Sequence, residues 1–389
     1  MSTPIESVAP TESPSLESAR VEGPIGATTR LTVDLGAIAE NWRRLAALAT
    51  PAVTGAAVKG DAYGLGAARV APALHAAGCR HFFVAHLGEA LTLRPLLPVA
   101  SEVLVLHGIP AGTAREFVAH GVTPVLNSLG DIEAWHGAAR HAGRRLAAML
   151  HVDTGMCRTG LSAAEVATLA AEPERLDGIA LSVVMSHLSC ADDRDNPMTA
   201  RQRARLIEIA ARIGHRGRLA LANSAGVMWG PDYHFDMVRP GIALYGGNPI
   251  PADPSPVVPV VRLEAGILQR REIDRPEAVG YGAVHKVERP TRVATVAVGY
   301  ADGYLRAAGN RGQALIAGRE VAILGRISMD LMTIDVTDVP EHLCRPGMPI
   351  TLIGDGLTID RVAAAMDTVS YELLTRLGRR FARQYLGGA

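Results

Sequence analysis

Between residues 53 and 242 the chain repeats one pattern, a short apolar run followed by a helical stretch rich in Ala and Arg. The runs fall at 53–59, 81–86, 103–108, 123–127, 147–154, 181–188, 218–223 and 235–242, with helical segments such as 66–77, 129–142 and 197–213 between them. They are apolar at successive positions, which marks parallel strands covered by helices on both faces. Eight such strands in about 210 residues predict a (β/α)8 barrel of the TIM type rather than an open doubly wound sheet. Beyond a Pro-rich linker at 251–259 the pattern changes. Segments 260–273, 291–300, 313–323, 330–337 and 349–353 are rich in Val, Ile and Thr and spaced by Gly, Asp and Pro, which predicts a mostly-β domain. Two short helices, 359–366 and 370–381, should end the chain, and the early strand Leu31-Thr32-Val33-Asp34 is free to pair with the later domain. The expected division is a disordered extension over 1–28, a barrel over 29–255 and a β domain over 256–389.

Composition narrows the partners. Net charge is zero with no basic block, which argues against nucleic acid or an anionic membrane. No segment approaches the ~18 consecutive apolar residues of a membrane span, and residues 1–28 lack the apolar core of a secretory signal. Cys79, Cys157, Cys190 and Cys344 are far apart and form no CxxC pair. A reducing cytoplasm fits them, with no disulfide framework and no metal site.

Of 39 basic residues only Lys59 and Lys286 are lysine. Lys286, in His285-Lys286-Val287-Glu288-Arg289, reads as a surface cation. Lys59 closes an apolar run and opens Gly60-Asp61-Ala62-Tyr63-Gly64-Leu65-Gly66. An amine at the end of a buried strand, ahead of a glycine-rich turn, is placed to act as a nucleophile or to form a Schiff base. Chemistry in such a barrel gathers at the C-terminal strand ends. Those ends supply Lys59, Asp153 with Arg158, His187, Asn223-Ser224, and Arg239 with Gly241-Ile242. A lone His there is more often a satisfied core group, and a lone Arg a solvated cap. An amine, a His, two Args and a Ser on one rim point instead to a site.

The block Ala57-Val58-Lys59-Gly60-Asp61-Ala62-Tyr63-Gly64-Leu65-Gly66 resembles the pyridoxal-phosphate signature of the alanine racemases. Further blocks agree in order: Val152-Asp153-Thr154-Gly155-Met156-Cys157-Arg158, Ser186-His187-Leu188, Asn223-Ser224, Met237 to Gly246, and Val298-Gly299-Tyr300-Ala301-Asp302-Gly303. Gly325 to Asp330 and Ser370-Tyr371-Glu372 complete a likeness that runs from about residue 30 to the end. It implies a fold-type III enzyme: a barrel, a β domain, and a head-to-tail homodimer with shared active sites. It also implies two-base interconversion of L- and D-alanine, supplying D-alanine for peptidoglycan.

The same resemblance assigns roles. Lys59 would form the Schiff base and carry the proton on one face, and Tyr281 of the partner's β domain would act on the other. A phenol of pKa ~10 is a poor base at neutral pH, so a cationic neighbour is needed, and His187, linked to Arg239, is the candidate. Arg239 would keep the ring nitrogen unprotonated, because Arg does not give up its proton. Tyr63, Ser224, the N–H groups of Gly241 and Ile242, and Tyr371 would hold the phosphate. Arg158 would grip the substrate carboxylate, with Met329 and Asp330 closing the pocket and Tyr300 and Asn223 in support. One position departs from the family. Many relatives carry a lysine, as its carbamate, where this chain has His151, so another acceptor or an anion such as chloride is expected to hold Arg158.

Four other readings compete. Racemases of serine or of broader range would share these residues. A fold-type III decarboxylase would offer Glu or Asp where this chain has Arg239, and a small carrier would lack the β domain. A non-catalytic anion-binding barrel would need no Lys59 and would show no absorbance band at about 420 nm.

Overall fold

A computed structural model describes residues 21–22, 24 and 26–387. The apolar runs form parallel strands at Val53–Thr54 with Ala56–Ala57, His81–Val84, Glu102–Val105, Thr123–Leu126, Leu146–His151, Ile179–Met185, Arg218–Ala220 and Met237–Val238. The first run pairs with the last strand through its first half and with the second strand through its second half, so the sheet closes on itself. Gly55, at the junction, is required there: a Cβ would lie 2.7 Å from the Phe83 ring. Phe83, Leu104, Val125, Met149, Val183, Met185, Ala220 and Met237 fill the barrel's interior. Their neighbours Phe82, Val84, Val103, Val105, Leu126, Leu150 and Val184 pack outward into the main core. The two-residue period of the strands thus explains why both faces had to be apolar. Helices begin where the sequence supplies caps, at Asp34, Ser128 and Ser162, the last with Glu165 in a reciprocal capping box.

The second domain is also a closed sheet. The 13-residue strand Val261–Ile273 bends through two register shifts and pairs with both Thr291–Val296 and Pro349–Ile353. Met332–Asp335, Arg319–Leu324 and Gln313–Ile316 complete the ring. Thr29–Asp34 runs antiparallel to Val261–Ile273, so the chain's early strand belongs to this sheet, as its sequence allowed.

Several expectations need correction. Segment 313–323 is a hairpin, turned at Ala317 and Gly318, both at positive φ. The last helix stops at Arg376, and the chain then forms the strand Ala382–Leu386, parallel to Thr29–Asp34. Val21–Glu22 pairs with that strand, so the expected disordered stretch over 1–28 does not extend to its end. Residues 1–20 lie outside the described residues. Among the described residues no helix is long and apolar enough to cross a membrane.

Candidate active site

The strand ends open into a cleft of about 1060 Å³. Lys59, Tyr63, Arg158, His187, Asn223, Ser224, Arg239, Gly241, Ile242 and Tyr371 all line it, beside Glu89 and His151. Of the rim residues expected from sequence, all but Asp153 line this cleft.

Lys59 begins a short turn, Lys59–Tyr63, whose next four residues are all left-handed: φ is 64° at Gly60, 55° at Asp61, 54° at Ala62 and 56° at Tyr63. For L-residues this costs roughly 1–2 kcal/mol each, so the turn is held from outside. Asp61 Oδ1 accepts from Ala67 N–H at 2.7 Å, and Glu89 accepts from Gly60 N–H at 2.8 Å and from Ala85 N–H at 2.7 Å. Burial, then Arg158 and Arg239, lower the basicity of the Lys59 amine, against a smaller opposing pull from Glu89. The shift is toward the neutral, nucleophilic amine.

Arg239 is 5% exposed. One Nη2 hydrogen donates to Ser186 O at 2.6 Å, and the guanidinium sits 5.8 Å over the Phe83 ring. Its Nε is buried without a partner. Burial lowers its pKa to about 10, which still leaves it charged at neutral pH. Arg239 is joined to the Ser186-His187 segment through the Ser186 carbonyl rather than through the imidazole. Burial, with Arg239, Lys59, Arg158 and His151 around it, pushes His187 well below its ordinary pKa. His187 is therefore neutral, and the expected cationic histidine is corrected. The positive charge at this end belongs to the two arginines.

At the opposite end Ser224 Oγ accepts from Gly241 N–H at 2.8 Å and from Ala243 N–H at 3.2 Å, which leaves its own proton free to donate. The Gly241 N–H, expected as a direct phosphate donor, is here taken up by Ser224. Ile242 N–H has no acceptor among the described residues. A Cβ on Gly241 would lie 2.2 Å from the Tyr63 hydroxyl, so glycine is needed here for tyrosine to approach. Burial raises the Tyr63 pKa, and raises that of Tyr371 to about 12, so both phenols stay as donors. The ring centroids are 6.0 Å apart.

Asp153 does not pair with Arg158. Its Oδ1 accepts from the N–H groups of Gly155, Met156 and Cys157 at 2.9–3.1 Å, shaping the loop that carries the arginine. Burial opposes that charge, and the three donors outweigh it, so the carboxyl is held below its ordinary range. Buried His151 donates its Nδ1 proton to Asn127 Oδ1 at 2.8 Å, an assignment made because the Asn127 amide donates to Leu106 O and Val125 O. Burial and then Arg239 lower its pKa to about 4, so it is neutral and its Nε2 is an acceptor. Among the described residues Arg158 has no carboxylate partner.

Tyr281, Met329 and Asp330 do not line this cleft. Tyr281 is 72% exposed and Met329 53% exposed, both on the β domain. Tyr300 N–H donates to Ser328 O and Ala301 N–H to Met329 O, both at 3.0 Å, which fuses two loops. Arg380 bridges Asp302 at 2.8 Å and Asp330 at 2.7 Å beneath them. Sequence reading missed the supports Glu89, Asn127 and Gln202. Gln202 donates to His187 O at 2.8 Å and accepts from Ser189 N–H at 2.9 Å. Its one signal is spacing, because Thr199, Gln202, Leu206 and Ala210 form the buried stripe of an Arg-rich helix.

A lysine of lowered basicity, an orphaned arginine Nε and a cluster of hydroxyl donors, set on a barrel followed by a β domain, suit an enzyme built around a carbonyl cofactor carrying an anionic group. Comparison with known proteins makes this specific. The models of the alanine racemase N-terminal domain and C-terminal domain match residues 33–249 and 260–385. An alanine racemase from Rhodospirillum rubrum is 51% identical over 93% of this chain and 96% of its own length. A catabolic alanine racemase from Agrobacterium fabrum is 44% identical over 95% of each. The crystal structure of the alanine racemase from Bartonella henselae, with covalently bound pyridoxal phosphate, superposes with a TM-score of 0.89 at 38% identity, covering 92% of this chain and all of that one. The chain belongs to the alanine racemase family.

Proposed function

We propose that this protein interconverts L- and D-alanine with pyridoxal phosphate. The observation that carries the reading is the pairing of the Lys59 amine with the buried, partnerless Arg239 Nε across one cleft. An N–H that lacks an acceptor suits an unprotonated ring nitrogen, and leaving it unpaired would cost about 1–3 kcal/mol. The hydroxyls of Tyr63, Ser224 and Tyr371, with the Ile242 N–H, supply the donors a phosphate requires. Pyridoxal phosphate, when bound, supplies an aldehyde to attach to Lys59 and a conjugated ring to spread the charge left when an α-proton is removed.

The chain's own groups do the rest. Arg158 holds the substrate carboxylate and so fixes which face of the α-carbon meets Lys59. Lys59 Nζ, its basicity lowered by burial, takes or returns the proton on that face. Arg239, charged at neutral pH, would leave the ring nitrogen unprotonated and so limit reaction to proton exchange. Tyr281 Oη serves the opposite face. Its exposure, with that of Met329, supports its donation to the cleft of a second copy in a head-to-tail dimer. With His187 neutral, Arg158 and Arg239 are the cations that would favour its phenolate.

The same residues would serve serine, so the test compares amino acids. L-Alanine in deuterium oxide should gain α-deuterium and yield D-alanine. Alanine left inert while larger amino acids exchange would refute the assignment. We place the enzyme in the cytoplasm, supplying D-alanine to peptidoglycan. A deletion strain that grows without added D-alanine would contradict that role.

A further inference from the structure

The left-handed turn carries two groups of the site, Lys59 at its entrance and Tyr63 at its exit. Such a turn does not sustain itself. Its near side is tied to the barrel by Glu89. Its far side is tied to the other domain. Arg383 Nη1 donates to Gly64 O at 2.7 Å, and the Tyr385 hydroxyl donates to Leu65 O at 3.0 Å. Both residues lie on the strand Ala382–Leu386, two apart and therefore on one face.

These two side chains are themselves anchored. Arg383 Nη2 donates to Leu377 O at 3.3 Å and Gly378 O at 3.2 Å, and the Arg69 guanidinium lies 5.9 Å over the Tyr385 ring. The fit leaves no room. A Cβ on Gly64 would lie 2.6 Å from Leu374 O, and one on Gly66 would lie 2.4 Å from the Tyr385 hydroxyl. Arg383 and Tyr385 do not line the cleft, so they reach its chemistry only through the turn.

We propose that Arg383 and Tyr385 are positioning residues, through which the last strand of the β domain holds the turn that aims Lys59 into the cleft and Tyr63 at Gly241. This rests on the roles given above to Lys59 and Tyr63. It makes the C-terminal strand part of the cofactor site of its own chain, while the exposed loops of the same domain serve another copy.

The test uses full-length Tyr385→Phe, which removes one hydroxyl, and Arg383→Gln. Arg292→Gln is the control, since Arg292 caps Val339 O within the β domain at 3.0 Å, away from the cleft. Two quantities are read beside the melting temperature. One is the dissociation constant for pyridoxal phosphate. The other is the ratio of Lys59 to Lys286 acetylation across pH in protein freed of cofactor, with exposed Lys286 as internal reference. Tyr385→Phe should bind pyridoxal phosphate about fivefold more weakly, and Arg383→Gln on the order of tenfold. In both, the pH at which Lys59 becomes reactive should rise, while the control changes neither quantity. Unchanged affinity and labelling would overturn the proposal, as would the same shifts in the control at equal loss of melting temperature. If Arg383→Gln does not fold, Tyr385→Phe decides. Wild-type protein that forms no adduct at Lys59 would instead refute the underlying reading.

Discussion

The barrel cleft and the exposed loops of the β domain are built in opposite ways. In the cleft Arg239 is 5% exposed, Ser224 accepts two backbone hydrogen bonds, and the Lys59 turn is clamped by Glu89. On the β domain Tyr281 is 72% exposed and Met329 53% exposed. The cleft half is preorganised within one chain, as electrostatic catalysis requires. The Met329 loop is tied to Tyr300 and Ala301 and braced by Arg380 through Asp330, while Tyr281 and Met329 face outward. Outward presentation of this kind is what donation of Tyr281 to a second copy would require.

Removing the centre of the cleft should have the largest effect. Lys59→Ala should lose activity by on the order of 10⁴-fold or more, and borohydride treatment of the cofactor-loaded variant should leave no adduct. A retained adduct at Lys286 would break the contrast between the two lysines. Tyr281→Ala should slow proton removal from L-alanine by roughly 10²–10⁴-fold while sparing exchange of D-alanine. Equal losses on both faces would remove its assigned role.

The smallest effect concerns His151 and pH. In the native chain it stays neutral down to about pH 4, whereas the unfolded chain binds that proton near pH 6.5. Between those values the unfolded state holds more protons, so stability falls as pH falls. From pH 7 to 5 this should remove on the order of 2 kcal/mol, and His151→Gln should flatten the slope of melting temperature against pH. An unchanged slope would show that the imidazole is charged when folded. Alanine affinity independent of chloride would leave the His151 Nε2 lone pair as the acceptor beside Arg158. Chloride dependence would favour a bound ion at Arg158.

The barrel was legible because apolar runs and their helices are local patterns, and the rim residues because amine, guanidinium and hydroxyl side chains are conspicuous beside an apolar core. What escaped was written in distant contacts. The strand Ala382–Leu386 reads as ARQYL, without alternation, and exists because Thr29–Asp34 offers it an edge. The hairpin turn at Ala317 and Gly318 lacks the Asn or Asp that usually marks positive φ. Glu89 and Asn127 act on backbone atoms of other units, and Gln202 on a loop 13 and 15 residues earlier, so only the fold reveals what they hold. The charge of His187 was misjudged for a related reason. An imidazole's protonation depends on the cations around it, and their nearness is not a property of sequence.

The shared site is tested most directly by mixing Lys59→Ala and Tyr281→Ala chains, each inactive alone, under conditions that exchange subunits. Random pairing gives hybrids in half of the dimers, each with one intact cleft, so about a quarter of wild-type activity should return. No recovery, with hybrids confirmed by mass, would show that Tyr281 serves its own chain or none.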